Sequence, residues 1–375
     1  MRIIIAIFIC ITIYCIQEYV YRKRWMDALK LELGFDEEYI YAGNKGHITE
    51  VVYNDKWLPL TAFHVKFSTS RTFRFVDDDN CALTDNYHRH DGFSILSHEK
   101  ITRRLEFTSS KRGYYRLSKV SIIAMDLFMT HSYARALPDT SYIYVLPARR
   151  KLKSIDAMCH QMIGEMSAHK GLIDDPYTFK GIRSYVVGDP MKSINWKASA
   201  RTGDLAVNVF EKEAEQRVCV MLNMDTHTMI RQDELQEYLI ELAGTIAAFF
   251  SSKGIPTSFA TNGEDVITGK DVYISYGATR EHMLAIDKQL ARLTKKKESG
   301  KFSLCVDNVL RKKDQEVFYV VVSSYCKADI IADMDRLSRD GAGVYMIVPN
   351  YPGAKVDISR SYIHKLEVAF DETRA

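Results

Sequence analysis

The chain has no Cys-x-x-Cys pair, no Gly-x-x-x-x-Gly-Lys-(Ser/Thr) loop, no Gly-x-Gly-x-x-Gly and no Gly-x-Ser-x-Gly. It therefore lacks the sequence marks of a zinc ribbon, a nucleotide P-loop, a dinucleotide fold and a serine-hydrolase elbow. No serine or cysteine nucleophile stands beside a recognisable base. No Asn-x-Ser/Thr acceptor occurs, which is neutral as to compartment. Charge of one sign is not in excess either: 51 Lys+Arg stand against 48 Asp+Glu, for a net charge of +3. So mild a basic balance gives no argument for nucleic acid.

The seven cysteines (Cys10, Cys15, Cys81, Cys159, Cys219, Cys305 and Cys326) are odd in number and scattered. They read as free thiols of a reducing compartment, not as a disulfide framework. With 375 residues, 46% hydrophobic and 26% charged, the chain is long enough for two folded domains and an extra segment. Its 22 tyrosines and 17 phenylalanines often fall in strand-like runs of the first half.

Residues Ile3 to Ile16 are apolar apart from Thr12, and Tyr19, Val20 and Tyr21 then lead to Arg22-Lys23-Arg24-Trp25. A span needs about 20 residues, so the aromatic end has to sit in the interface. No small-residue cleavage site follows, and Tyr14 before Cys15 is a poor lipoprotein context. The expectation is an uncleaved signal anchor over 1–24, against a buried core helix as the plain alternative. Three basic residues after the span outweigh Arg2 and the terminal amine, which places the body in the cytoplasm by the positive-inside rule.

From about residue 30 to 148 short strands alternate with turns: Tyr39 to Ala42, His47 to Tyr53, Leu60 to Phe67, Thr102 to Phe107, Tyr114 to Ile123 and Tyr142 to Leu146. That spacing predicts an antiparallel, immunoglobulin-like or fibronectin-like sandwich without the cysteine pair. Residues 149–212 read as a connector with one helix. Over 213–375 the texture changes. Val218 to Leu222, Thr257 to Ala260, Val317 to Val322 and Val344 to Val348 read as strands. Asp233 to Lys253, Arg280 to Leu293 and Ala328 to Ser338 read as helices. Alternation of this kind predicts a parallel sheet covered on both faces.

Between these halves lies the densest polar stretch, Arg183 to Arg201. Gly188-Asp189-Pro190 is turn chemistry. Around it stand Arg183, Tyr185, Lys192, Ile194, Trp196, Lys197 and Arg201. Arg-x-Tyr-x-x-Gly-Asp-x-x-(Arg/Lys)-x-Ile-x-Trp followed by Arg resembles the signature of the domain-of-unknown-function 58 family. Lys111-Arg112-Gly113-Tyr114-Tyr115-Arg116-Leu117, with Asp126-Leu127-Phe128 after it, resembles a second motif of that family, which prefers Asp-Pro-Phe-Gly at the latter position. The resemblance implies a C-terminal part like a von Willebrand factor type A domain. It also implies partnership with a MoxR-type AAA+ ATPase in membrane-complex assembly or envelope stress. Many members of that family have two N-terminal spans, and this chain shows one.

A type A domain often holds a metal at Asp-x-Ser-x-Ser, where hydroxyl and carboxylate oxygens suit a hard divalent ion. Here the run is Asp225-Thr226-His227-Thr228-Met229, and Ser323-Ser324-Tyr325 offers no later Asp. The expectation is no metal and no cofactor, with Asp225 capping a loop or helix. Asp77 to Asp79, Asp85, His88, His90 and Asp91 form ligand-type chemistry, but a solvated hairpin tip is the plainer reading. Lys295 to Lys297 reads as a solvated helix end.

Two roles suit the signature. In one, Asp189 pairs with Arg183 or Arg201 and Trp196 packs a joint between the domains. In the other, the segment is a docking surface. The leading expectation is a non-catalytic membrane-anchored scaffold. Its rivals are a hydrolase holding an anionic substrate with Arg183, Lys192, Lys197 and Arg201, and an extracellular adhesion module.

Overall fold

The computed structural model describes residues 1–76, 81–83, 86–139, 141–150, 153–173, 179–210, 216–225, 232–295, 302–312, 317–339, 343–350 and 360–367. It divides into two compact units, Met1–Ala148 with Leu290–Arg292, and Arg149–Gln289 with Leu293–Ala375. The segment 149–212 thus falls within the second unit.

The first unit opens with α1 (Arg2–Arg24) and continues through β1 (Leu29–Phe35), β2 (Tyr39–Tyr41), β3 (Lys45–Asn54), β4 (Leu60–Ser70), β5 (Phe73–Phe75), β6 (Cys81–Leu83), β7 (Asn86–Ile95), β8 (Glu99–Ser109), β9 (Gly113–Arg116), β10 (Ser118–Met125), β11 (Ser132–Ala136) and β12 (Tyr142–Leu146). Two antiparallel sheets form, β1-β3-β8-β5 and β11-β10-β4-β7-β6, beside a small sheet β2-β12-β9. Period-2 alternation turns Ile48 and Val52 of β3, Val65 and Phe67 of β4, and Ile122 and Ala124 of β10 into shared apolar clusters between the sheets. The run Tyr114 to Ile123, expected as one strand, is two. It breaks at Leu117, so that β9 pairs with β12 while β10 pairs with β4.

Helix α1 is long and apolar enough to cross a membrane. Its far end does not stand free of the sheets. Tyr21 and Trp25 are buried with Leu60, Phe63 and Val65, and the Tyr21 hydroxyl donates to the Pro59 carbonyl at 2.8 Å.

The run expected to be a solvated hairpin tip is β7, at least from residue 86 onward. His88 and His90 face outward together, whereas Arg89 and Asp91 point inward and are buried. Strand alternation forces this: the same period that exposes the imidazoles sends their neighbours into the core. Asp77 to Asp79 and Asp85 lie outside the described residues.

The second unit runs α2 (Lys153–Ile173), β13 (Phe179–Ser184), a 3-10 turn at Met191–Ser193, α3 (Trp196–Thr202), β14 (Ala206–Phe210), β15 (Arg217–Leu222), α4 (Gln232–Ser252), β16 (Thr257–Asp265), β17 (Asp271–Gly277), α5 (Arg280–Arg292), β18 (Leu293–Thr294), α6 (Phe302–Leu310), β19 (Val317–Val322), α7 (Ala328–Arg339), β20 (Val344–Asn350) and β21 (Ile363–Glu367). Its seven-stranded sheet has the order β17-β16-β15-β19-β20-β21, with β18 also on β16. The sheet is mixed, not all parallel: β17 and β18 run antiparallel to β16. An edge hairpin needs no crossover helix, so strand–helix alternation could not reveal it. Because β18 follows α5 at once, Lys295 lies beyond a strand and not in the last turn of a helix; Lys296 and Lys297 are outside the described residues.

Strands β15 and β19 are buried on both faces, as continuous apolar runs should be. Cys219 and Met221 face α6 and α7 through Val306, Met334 and Leu337. Helix α4 packs on β15, β16 and β19. Helix α2 buries a stripe of Ile155, Cys159, Met162 and Met166, the 3.6-residue spacing of a core helix. Burial pushes the Cys159 thiol up to about 12, with the Asp156 charge adding to it, so this cysteine is inert and structural.

Candidate functional site

The signature Arg183 to Arg201 forms a β-hairpin with a long, structured tip. Strand β13 pairs antiparallel with β14, with Arg183 opposite Val207 and Ser184 opposite Ala206. Gly188 sits at φ +110, a conformation that costs an L side chain energy, and the Asp189 amide bonds the Val186 carbonyl at 3.0 Å to close the turn. The 3-10 turn at Met191–Ser193 follows Pro190, and Ile194 bridges back to Val207. Asn195 caps α3, accepting from the Ala198 amide at 2.9 Å, and its own amide group donates to Asn208 Oδ1 at 2.7 Å. Gly203, at φ +82, ends the helix. Ser199 ties tip to base: its hydroxyl donates to the Asn195 carbonyl and accepts from the Ala206 amide.

Two charged residues of this stretch, Arg183 and Asp189, are used locally. Arg183 grips Asp189 with both terminal nitrogens, each at 2.7 Å, and the Val186 amide adds a third bond to the carboxylate at 2.9 Å. The Arg183 bonds, then the Val186 amide, hold the Asp189 carboxyl at about 2, below the usual carboxylate range. Asp189 therefore stays ionised at physiological pH and is a poor general base there. Of the two arginines considered for it, Arg183 is the partner. Lys192, Lys197 and Arg201 are exposed, and Tyr185 is half-buried, its amide donating to the Leu205 carbonyl at 2.8 Å.

Packing inside the hairpin falls to Ile194, Ala206 and Val207, which are buried. Trp196, to which the joint role assigned the packing, is 63% exposed. On the same hairpin Val187 is 95% exposed and Met191 67%, with Ile182, Val186 and Leu205 also open to solvent.

A second polar cluster lies at the carboxyl ends of β15 and β19. Sequence order reverses between these strands, the place where open α/β sheets bind ligands. Asn223 is buried there. Its amide donates to Ser323 Oγ at 3.1 Å, and its carbonyl accepts from the Asp225 amide at 3.0 Å and from Asn262 at 3.3 Å. Asn262 in turn accepts from the Met224 amide, and Ser324 donates to the Asp225 carbonyl at 3.0 Å. The groups at this crevice bond one another. Asp225 is partly buried at its rim; His227 and Met229 lie outside the described residues. Asn223 and Asn262 carried no sequence signal beyond being polar residues at the ends of apolar runs.

Solved structures with some likeness to this chain include three of low similarity. One is an alkylpurine DNA glycosylase from Pseudomonas fluorescens bound to abasic-site DNA, 11% identical, covering 32% of this chain and 30% of its own, at a TM-score of 0.20. Another is a CARDB domain from Pyrococcus furiosus in complex with di-metal ions, 11% identical over 32% of this chain and 88% of its own, at 0.21. The third is a non-cellulosomal cohesin from Archaeoglobus fulgidus, 9% identical over 35% and 97%, also at 0.21. At those scores the likenesses carry no argument. No curated protein matches the chain. A family model does match, and it covers most of the hairpin, the crevice and most of the mixed sheet: over residues 181–348 this chain matches the family described as Protein of unknown function DUF58.

Proposed function

We propose that this protein is a non-catalytic scaffold, anchored by α1 with its body in the cytoplasm, whose hairpin 179–210 docks a protein partner. In this reading the first unit is an immunoglobulin-like sandwich, and the second is a von Willebrand factor type A-like domain that has lost its metal ligands. The partner that the family resemblance implies is a MoxR-type AAA+ ATPase.

One observation carries the proposal. Trp196, Val187 and Met191 are held at the surface of a hairpin whose shape the Arg183–Asp189 clamp fixes. Exposed apolar groups on a preorganised element that also exposes Lys192, Lys197 and Arg201 are the composition of a protein interface. A hydrolase binding an anion would want Arg183 available, and its terminal nitrogens are committed to Asp189.

The test is co-purification of the full chain, in mild detergent, with a MoxR-type ATPase from the same cell. Trp196→Ala combined with Val187→Asp should reduce recovered ATPase at least tenfold, equivalent to about 1.4 kcal/mol, while the melting temperature stays within about 2 °C of the parent. A lowered melting temperature with recovery lost only in proportion would restore the joint role. Unchanged recovery would remove the hairpin as the docking site.

A further inference from the structure

Between β10 and β11 the chain makes a tight loop, Asp126 to His131, that thrusts three apolar side chains outward. Phe128 is 52% exposed and Met129 64%, with Leu127 exposed beside them. Water-facing apolar triplets are unfavourable, and this one is held open by design of the loop. Asp126 is fully buried and accepts from the Thr130 and His131 amides and from the Thr130 hydroxyl, at 2.7, 3.1 and 2.6 Å. Burial works against its charge, yet these bonds and one from Gln17 hold its carboxyl well below the usual range. Met129 is at φ +56, so the backbone is strained as well as pinned.

The loop lies against α1 at one level of that helix. Phe128 stacks on Tyr14 with ring centroids 6.2 Å apart. The Tyr14 hydroxyl donates to Thr130 Oγ1 at 3.2 Å, and Gln17 donates to Asp126 at 2.9 Å. Tyr14 belongs to the apolar run that ends at Ile16, and Gln17 begins the polar part. The loop therefore meets α1 where its side chains change from hydrocarbon-compatible to headgroup-compatible. The apolar run, Ile3 to Ile16, also measures only about 21 Å at 1.5 Å per residue, against a hydrocarbon core of about 30 Å. An apolar element beside its end would lessen that mismatch.

We infer that Leu127, Phe128 and Met129 form a wedge that enters the hydrocarbon–headgroup boundary beside α1, so that the first unit rests on the bilayer. The lipid is recognised by its acyl region, not by a headgroup. This inference rests on α1 being a membrane anchor.

The full chain is reconstituted at low density into phosphatidylcholine vesicles, as parent and as Phe128→Trp, with Leu127→Trp as a second probe. Flotation reports the anchor. The emission added over the parent's tryptophans reports the loop. The expected result is flotation of every variant, with the added emission blue-shifted and lost in lipid brominated near the headgroup end of its chains. Flotation with an added emission that brominated lipid leaves intact overturns the wedge and spares the anchor, whether that emission is red-shifted by water or blue-shifted by protein. Failure to float overturns the anchor and the wedge with it.

Discussion

At the scale of single residues, the least comfortable group is Glu50. It occupies an inward position of β3, where alternation would place an apolar side chain, and neither carboxylate oxygen accepts a hydrogen bond among the described residues. The charges facing it are Arg89 and Asp91 on β7 and Arg103 on β8. Asp91 already takes the Arg89 Nε at 2.6 Å and an Arg103 nitrogen at 2.8 Å. Burial, then Asp91, with partial relief from the two arginines, pushes the Glu50 carboxyl up to about 8. A carboxyl raised on folding binds its proton more tightly in the native state. Between its unfolded value, near 4.3, and about 8 the native state holds the extra proton, so stability falls as pH rises through that window. Below the window both states are protonated, and above it both are ionised. The slope approaches about 1.4 kcal/mol per pH unit in mid-window. Glu50→Gln should abolish this slope, leaving the variant close to the parent at pH 4 and more stable at pH 8. Urea unfolding of the detergent-solubilised chain at several pH values would read it; parallel curves for the two proteins would mean that Glu50 ionises freely in the fold.

At the scale of elements, the hairpin 179–210 shows how much was legible and why the rest was not. Gly-Asp-Pro marked the turn because φ +110 at Gly188 and the bonds of Asp189 are local chemistry. The outward placement of Trp196 was not legible, because whether an aromatic packs or waits depends on what the rest of the fold brings near it. The same division holds elsewhere. Strands β15 and β19 announced themselves as apolar runs, whereas β17, Asp-Val-Tyr-Ile-Ser-Tyr-Gly, mixes polar and apolar side chains as an edge strand can. Helix α6 has only nine residues, too short for a clear period. Asn223 and Asn262 acquire meaning only from strands far apart in sequence. The local part of the hairpin can be tested by itself. Among the described residues, none beyond its chain neighbours comes within 4 Å of a Cβ at Gly188, so Gly188→Ala is opposed there by backbone conformation, at roughly 1–3 kcal/mol. That cost should fall on the tip. Amide exchange at Tyr185 and Asn195, which donate to Leu205 and Ala206, should quicken about 5- to 150-fold while the exchange of β15 and β19 is unchanged. Acceleration spread into the sheet would show that hairpin and sheet open as one unit.

At the scale of the whole molecule, if α1 is the proposed anchor, the distribution of charge around it sets the side on which the body resides. Arg22, Lys23 and Arg24 follow the apolar run, while Arg2 and the terminal amine precede it. The balance is three against two, a margin on which orientation can turn. The expected outcome is that protease added to intact cells leaves the body undigested, while the same protease degrades it once the membrane is opened. Because the margin is narrow, replacing Arg22, Lys23 and Arg24 by Gln should yield a mixed population, part of it now cleaved from outside. None of the three side chains is buried, so this change need not unfold the first unit. Should the parent itself be digested in intact cells, the body is extracytoplasmic. A cytoplasmic ATPase could then not reach the hairpin, and Trp196, Val187 and Met191 would have to serve a partner on the outer side.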